Sequence, residues 1–311
     1  MTIHRRDLLR SGALGAGALI AGTARVGALQ GQGGVGVGAP IMVTSGNGPG
    51  PNPEMISGSG RVQQSVARWC FEGVPLPELC AAAVAMGLPA IDLLEVDEWA
   101  VAADHGLVAS VGMVGAGSIE NGLNDPANHD DMVRAFEVGI PLAAEAGVPN
   151  VICFFGNRRG MGDERAIENS VRCLERCAPI AESYGVTILV ELLNSKVSHP
   201  DYIGDRTEYG VRIIDAVSSA RVKLLYDIYH MQVMEGDVIR TIRDNHAHIA
   251  HYHTGGVPGR AEIDNTQELN YVGITSALAD LGFGGYMAHE FIPRGPDPLA
   301  SLRAAVRLCD V

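Results

Sequence analysis

Aromatic side chains are scarce, at 5% of the 311 residues. A protein that grips single-stranded nucleic acid needs rings on which bases stack, so that class is disfavoured. Positive charge is short too. Lys and Arg number 23 against 36 Asp and Glu, a formal net charge of −13, and so acidic a chain is ill suited to neutralising a phosphate backbone. No nucleic-acid partner is expected. Charged residues of both signs reach only 19% while hydrophobic ones reach 47%, which excludes a solvated, coreless chain.

Other features are missing as patterns. Cys70, Cys80, Cys153, Cys173, Cys177 and Cys309 contain no CxxC pair, and they read as buried residues rather than a disulfide framework. No G-x-G-x-x-G follows the first expected strand, which weighs against a doubly wound dinucleotide-binding sheet. Long apolar runs are absent as well. The one from Ser11 to Gly22 is short of the roughly 20 residues that a membrane span needs.

That short run has a different reading. Arg5-Arg6-Asp7-Leu8-Leu9-Arg10 precedes it and small residues close it near Ala24, the layout of a twin-arginine export signal over residues 1–24. An uncleaved anchor helix is the alternative. The expectation is an exported, periplasmic protein with no membrane attachment after cleavage. A chain folded before export needs no disulfides, in keeping with the cysteine pattern. Residues 25–60 hold Gly31-Gln32-Gly33-Gly34 and Asn47-Gly48-Pro49-Gly50-Pro51-Asn52-Pro53, a turn-rich stretch expected to be a flexible linker.

From residue 61 to 311 the texture is regular. Strands are expected near 62–69, 90–96, 107–113, 150–155, 186–192, 222–228, 249–254 and 285–291. Helices are expected in the gaps, including 76–86, 129–146, 163–184 and 269–281. Gly87, Gly147, Gly185 and Gly282 stand where a helix should stop. Eight strand–helix units in about 250 residues describe an α/β fold of the (β/α)₈ TIM-barrel class.

Function in such a barrel gathers at the C-terminal strand ends. Glu191, Asp227, His253 and Glu290 close the fifth to eighth expected strands. A single acid after a strand is ordinarily a helix cap, but one ligand-type group on each of four consecutive strands points to a shared centre. Three carboxylates buried together would repel unless a cation joined them. This oxygen-rich set suits Mn²⁺ or Mg²⁺, with Co²⁺, Fe²⁺ and Zn²⁺ as competitors. Asn194, Lys196, His230 and Arg260 lie beside it in sequence and are candidate substrate-binding residues. Arg260 is suited to a carboxylate or an enediolate oxygen. His251 shares a strand face with His253 and is expected to support the ligands rather than join them.

Four segments carry a resemblance: Glu191-Leu192-Leu193-Asn194-Ser195, Tyr226-Asp227-Ile228-Tyr229-His230-Met231-Gln232, Val257-Pro258-Gly259-Arg260 and Glu268-Leu269-Asn270-Tyr271. They resemble the motifs of hydroxypyruvate isomerases, within the xylose-isomerase-like barrel superfamily of sugar isomerases and epimerases. The likeness runs from about Arg61 to Phe291. It implies that Glu191, Asp227, His253 and Glu290 hold a metal. It further implies that Glu191 and Glu290 move a proton on opposite faces of the substrate, and that His230 and Arg260 contact its oxygens. One departure is His253, where hydroxypyruvate isomerases often carry Gln and ketose epimerases carry His. The export signal is another, since hydroxypyruvate isomerases are usually cytoplasmic. A homo-oligomer is an expectation by analogy with the superfamily.

The expected chemistry is a metal-assisted, enediolate-type isomerisation of a small hydroxy-carbonyl compound, with Glu191 and Glu290 as catalytic bases. A ketose 3-epimerase, or a lyase acting on 3-keto sugars or glycosides, is the second expectation. A non-catalytic sugar-binding barrel is the third.

Overall fold

The computed structural model describes residues 60–311. The expected export signal, and all of the expected linker before Gly60, lie outside the described residues.

Strands and helices alternate along the chain. β1 (Gln63–Ala67) leads to α1 (Leu76–Ala85), then β2 (Ala90–Asp92) and β3 (Leu94–Glu95) lead to α2 (Trp99–Asp104). β4 (Val108–Ala109) and β5 (Gly112–Met113) precede α3 (His129–Glu145), and β6 (Asn150–Phe154) precedes α4 (Asp163–Tyr184). β7 (Thr187–Leu192) is followed by α5 (Thr207–Val217), and β8 (Val222–Asp227) by α6 (Ile228–Met234) and α7 (Val238–Asn245). β9 (Ile249–Thr254) with α8 (Tyr271–Asp280), and β10 (Tyr286–His289) with α9 (Pro298–Leu308), complete the series.

All pairings between these strands are parallel, and β1 pairs with both β10 and β2, so the sheet runs round in a ring. The expected second and third strands are each broken in two. Leu93, at φ 55°, separates β2 from β3, while β2 pairs with β4 and β3 with β5. Counted as barrel strands, the ten segments therefore make the eight of a TIM barrel.

The local sequence explains these elements. Thr187-Ile188-Leu189-Val190-Glu191-Leu192 is buried at every position, as expected of a parallel strand covered on both faces. α4 buries Ala166, Ile167, Ser170, Cys173, Leu174, Cys177, Ala178 and Ala181, the three-and-four spacing of one helical stripe. It stops at Gly185, whose φ of 70° suits a residue with no Cβ. Leu189 is fully buried in the core, so trimming it to Ala would cost about 2–5 kcal/mol. Among the described residues, no helix is long and apolar enough to cross a membrane.

Candidate metal centre

Strand register brings the rim residues level. β8 and β9 slip where Leu224 faces Ile249 and Leu225 faces His251, leaving Ala250 out of the pairing. Beyond this irregularity Asp227 stands opposite His253, and Ala288, two residues before Glu290, also pairs with His253. On the other side Glu191 pairs with Leu225. The result is one cluster. Glu191, Asp227, His253 and Glu290 are all fully buried, and one ligand-type atom from each lies within 4.8 Å of the others.

His253 is the hub of the cluster. Its Nδ1 lies 2.6 Å from Glu290 Oε2 and 3.3 Å from Glu191 Oε1, and its Nε2 lies 2.8 Å from Asp92 Oδ2. Burial opposes protonation of this imidazole, but Glu290 and the other carboxylates outweigh it and hold the His253 pKa well above its ordinary value. Burial pushes the Asp227 carboxyl up to about 7; Glu290 and Glu191 add to the rise and Arg260 opposes it.

Asp227 has two tasks. As the N-cap of α6 its Oδ1 accepts from the His230 backbone N–H at 3.1 Å, while its Oδ2 accepts from Arg260 Nη2 at 2.9 Å. The ordinary role of an acid after a strand and a place in the cluster thus coexist in one side chain.

Arg260 is fixed from several directions. Its Nη2 also donates to Glu290 Oε2 at 2.5 Å, and its Nε donates to the Glu290 carbonyl at 3.2 Å. The guanidinium lies 5.3 Å from the ring centres of both Trp69 and Tyr229, within reach of cation–π attraction. Burial disfavours its charge, yet Glu290 and Asp227 keep it firmly protonated.

Asn194 sets the orientation of His230. The Asn194 backbone N–H donates to His230 Nδ1 at 2.9 Å. His230 Nε2 lies 3.0 Å from Arg260 Nη1 and 3.6 Å from Asp227 Oδ2. Asn194 Oδ1 meanwhile accepts from the backbone N–H groups of Val197 and Ser198 at 3.0 and 2.8 Å.

Lys196, the other candidate from sequence, makes no contact with the cluster. Its exposed ammonium donates to the carbonyls of Val233 and Met234 at 3.2 and 2.9 Å. It is held at the C-terminal end of α6, where carbonyls without helical partners attract a cation.

Two neighbours escaped the sequence reading. Trp69 donates from Nε1 to Glu290 Oε1 at 2.5 Å from the turn after β1. Asp92 touches both His251, at 3.2 Å, and His253. Burial would raise the Asp92 pKa, but the two imidazoles hold it well below the usual carboxylate range. Asp92 closes the apolar pair Ala90-Ile91, the same signal that marks Asp227; it was hidden because the expected strand ran on to Val96.

The donor set fits a divalent cation. Three carboxylates and an imidazole without solvent exposure converge, and like charges buried so close repel unless a cation joins them. Mostly oxygen donors with one nitrogen favour a hard or borderline ion.

Comparison with known proteins agrees with this architecture. The family model described as a xylose isomerase-like TIM barrel matches residues 73–310, and the chain belongs to that family. It is 28% identical over 176 residues to a putative hydroxypyruvate isomerase of Xenopus laevis, covering 55% of this chain and 64% of the relative. It is 37% identical over 117 residues to a 2-oxo-tetronate isomerase of Cupriavidus necator, covering 38% of this chain and 44% of the relative. These matches therefore span about half to two thirds of the relatives' lengths. Among solved structures, an AP endonuclease of family 2 from Brucella melitensis superposes with a TM-score of 0.69 at 23% identity, covering 78% of this chain and 97% of the other. At that identity the likeness speaks for the fold alone.

Proposed function

We propose that this protein is a divalent-metal-dependent isomerase of small hydroxy-carbonyl acids, of the hydroxypyruvate or 2-oxo-tetronate kind. The observation that carries the reading is the placement of Glu191 and Glu290 around His253 Nδ1, at 3.3 and 2.6 Å, with Arg260 against Glu290. Binding a sugar gives no use for two buried carboxylates at one centre, whereas moving a proton between adjacent carbons needs at least one of them as a base.

Glu191, Asp227, His253 and Glu290 would hold the cation, whose contribution when bound is Lewis-acid stabilisation of the enediolate. One of the two glutamates removes the proton from the carbon beside the carbonyl, and a carboxylate returns it to the neighbouring carbon. Arg260 offers fixed donors to a substrate carboxylate or developing oxyanion, and the His230 ring lies beside it, with Nε2 3.0 Å from Arg260 Nη1. Asn194 acts on the substrate through His230, whose ring it orients. Burial of the carboxylates keeps water from competing for the proton.

A second reading, epimerisation or lyase chemistry on a keto sugar, is favoured by one feature. His253 supplies an imidazole where the resembled isomerases often carry an amide. Protein loaded with Mn²⁺ should be incubated in D₂O with hydroxypyruvate, ketohexoses and 3-keto-glucosides, and the products followed by NMR. Metal-dependent C–H exchange with formation of the aldose–ketose isomer is the expected result. Exchange with inversion at one carbon, or with cleavage, would select the second reading, and no exchange with any substrate would overturn both. On the strength of Arg5-Arg6 and the apolar run behind them, we also propose that the enzyme works outside the cytoplasm.

A further inference from the structure

Below the four rim residues lies a second group of polar side chains that the proposed chemistry does not use. Asp92, at the end of β2, is fully buried and reaches across the barrel to two histidines of β9. Its Oδ1 accepts from Ser110 Oγ at 2.5 Å and lies 3.2 Å from His251 Nε2. Its Oδ2 lies 2.8 Å from His253 Nε2. The His251 and His253 rings meet edge to face, with centres 5.1 Å apart.

The geometry is asymmetric for His253. One ring nitrogen, Nε2, faces Asp92; the other, Nδ1, faces Glu290 and Glu191. A neutral imidazole has a single N–H, and whichever nitrogen lacks it presents a lone pair. Carboxylates, which only accept, face both nitrogens; a cation among the rim carboxylates would displace the proton on the Nδ1 side, and Asp92 would keep the other on Nε2. The Nδ1 lone pair is then turned toward the three rim carboxylates. A carboxylate behind a ligating histidine commonly fixes tautomer and ring orientation in this way.

We propose that Asp92 is the positioning residue of the centre: it holds the proton of His253 on Nε2 so that Nδ1 is the atom offered to the cation. Ser110 occupies the other oxygen of Asp92 and restrains its carboxylate from turning. The inference rests on the metal-dependent reading above and extends it to a residue that makes no contact with the substrate. The competing interpretation is that Asp92, His251 and His253 hold an ion of their own, since they too cluster. The Ser110 bond and the 2.8 Å approach to Nε2 suit hydrogen bonding. A histidine shared between two ions would in addition have to give up both ring protons.

The test uses Zn²⁺ as a diamagnetic probe, with binding measured by competition against a chromophoric chelator. Asp92→Asn should weaken Zn²⁺ binding by about 10- to 100-fold, the usual scale for such a partner. The same substitution in a His253→Gln background should change it by less than about threefold, because no imidazole remains to be oriented. Equal losses in both backgrounds would overturn the proposal, as would an unaltered affinity in the single variant. Uptake of two Zn²⁺ by the parent protein, falling to one in Asp92→Asn, would overturn it in favour of a second ion. Should Asp92→Asn fail to fold, the parent protein decides the matter. Long-range ¹H–¹⁵N spectra of the Zn²⁺-loaded form should show His253 protonated at Nε2, and a proton at Nδ1 would refute the assignment. A parent protein that takes up no Zn²⁺, Mn²⁺ or Mg²⁺ would sink the metal reading itself, a failure distinct from an unaffected variant.

Discussion

Arg260 grips Glu290 twice, donating from Nη2 to its carboxylate at 2.5 Å and from Nε to its carbonyl at 3.2 Å. The same Nη2 also meets Asp227 Oδ2 at 2.9 Å. One buried guanidinium thus offsets two buried carboxylates, and removing it strands both. Arg260→Ala is expected to destabilise the metal-free protein by about 3–5 kcal/mol, the scale for breaking a buried pair. Added Mn²⁺ should restore a good part of that loss. Urea unfolding with and without Mn²⁺ measures both quantities, and an equal loss under the two conditions would show that Arg260 and the cation do not act on the same charges.

Glu191→Gln and Glu290→Gln keep volume and one oxygen donor but remove the ability to take up a proton. Each is expected to lower turnover by two or more orders of magnitude, roughly the contribution of general acid–base catalysis. The variants should also differ in kind. The one that retains the first base should still exchange substrate C–H with D₂O while forming little product. Wild-type turnover in both, with metal retained, would contradict the two-base assignment.

A third expectation concerns acid stability away from the reaction. His289 is fully buried, with Nε2 2.8 Å from Gln64 Oε1, and burial pushes its pKa down to about 3 from 6.5. The unfolded chain therefore binds a proton that the folded chain refuses between those two values. Stability is fully present above pH 6.5 and should fall as the pH drops toward 3, by about 1.4 kcal/mol per unit within that window. Urea unfolding between pH 7 and 5 should show a shallower dependence in His289→Gln than in the parent, and parallel curves would rule out this origin.

Removal of residues 1–58 should leave metal content and turnover nearly unchanged. The described chain is anchored where it begins: the Gly60 N–H donates to Asp310 Oδ1 at 3.3 Å and Arg61 Nε to the Val311 carbonyl at 3.2 Å. Circular dichroism and metal analysis of the truncated protein check this directly. A truncated chain that does not fold would show that the Gly- and Pro-rich stretch does more than link.

Much of this barrel was legible along the chain because its causes are local. Helix α4 follows from a three-and-four apolar spacing closed by Gly185, and β9 from six residues that lie where the pattern placed them. Glu191, Asp227, His253 and Glu290 could be picked out because a parallel barrel sends the C-terminal ends of all its strands to one rim. Tertiary structure alone decided what those residues face. Asp92 is 161 residues from His253 and Trp69 is 221 from Glu290, and such contacts depend on strand order and register rather than on neighbouring sequence. The slip between β8 and β9 sets Asp227 level with His253, and the left-handed turn at Leu93 breaks a strand that reads as continuous. Lys196 shows the same limit from the other side. Its place beside Asn194 suggested the site, but the direction of a long, flexible side chain is settled by whichever acceptors the fold presents, here the carbonyls at the end of α6.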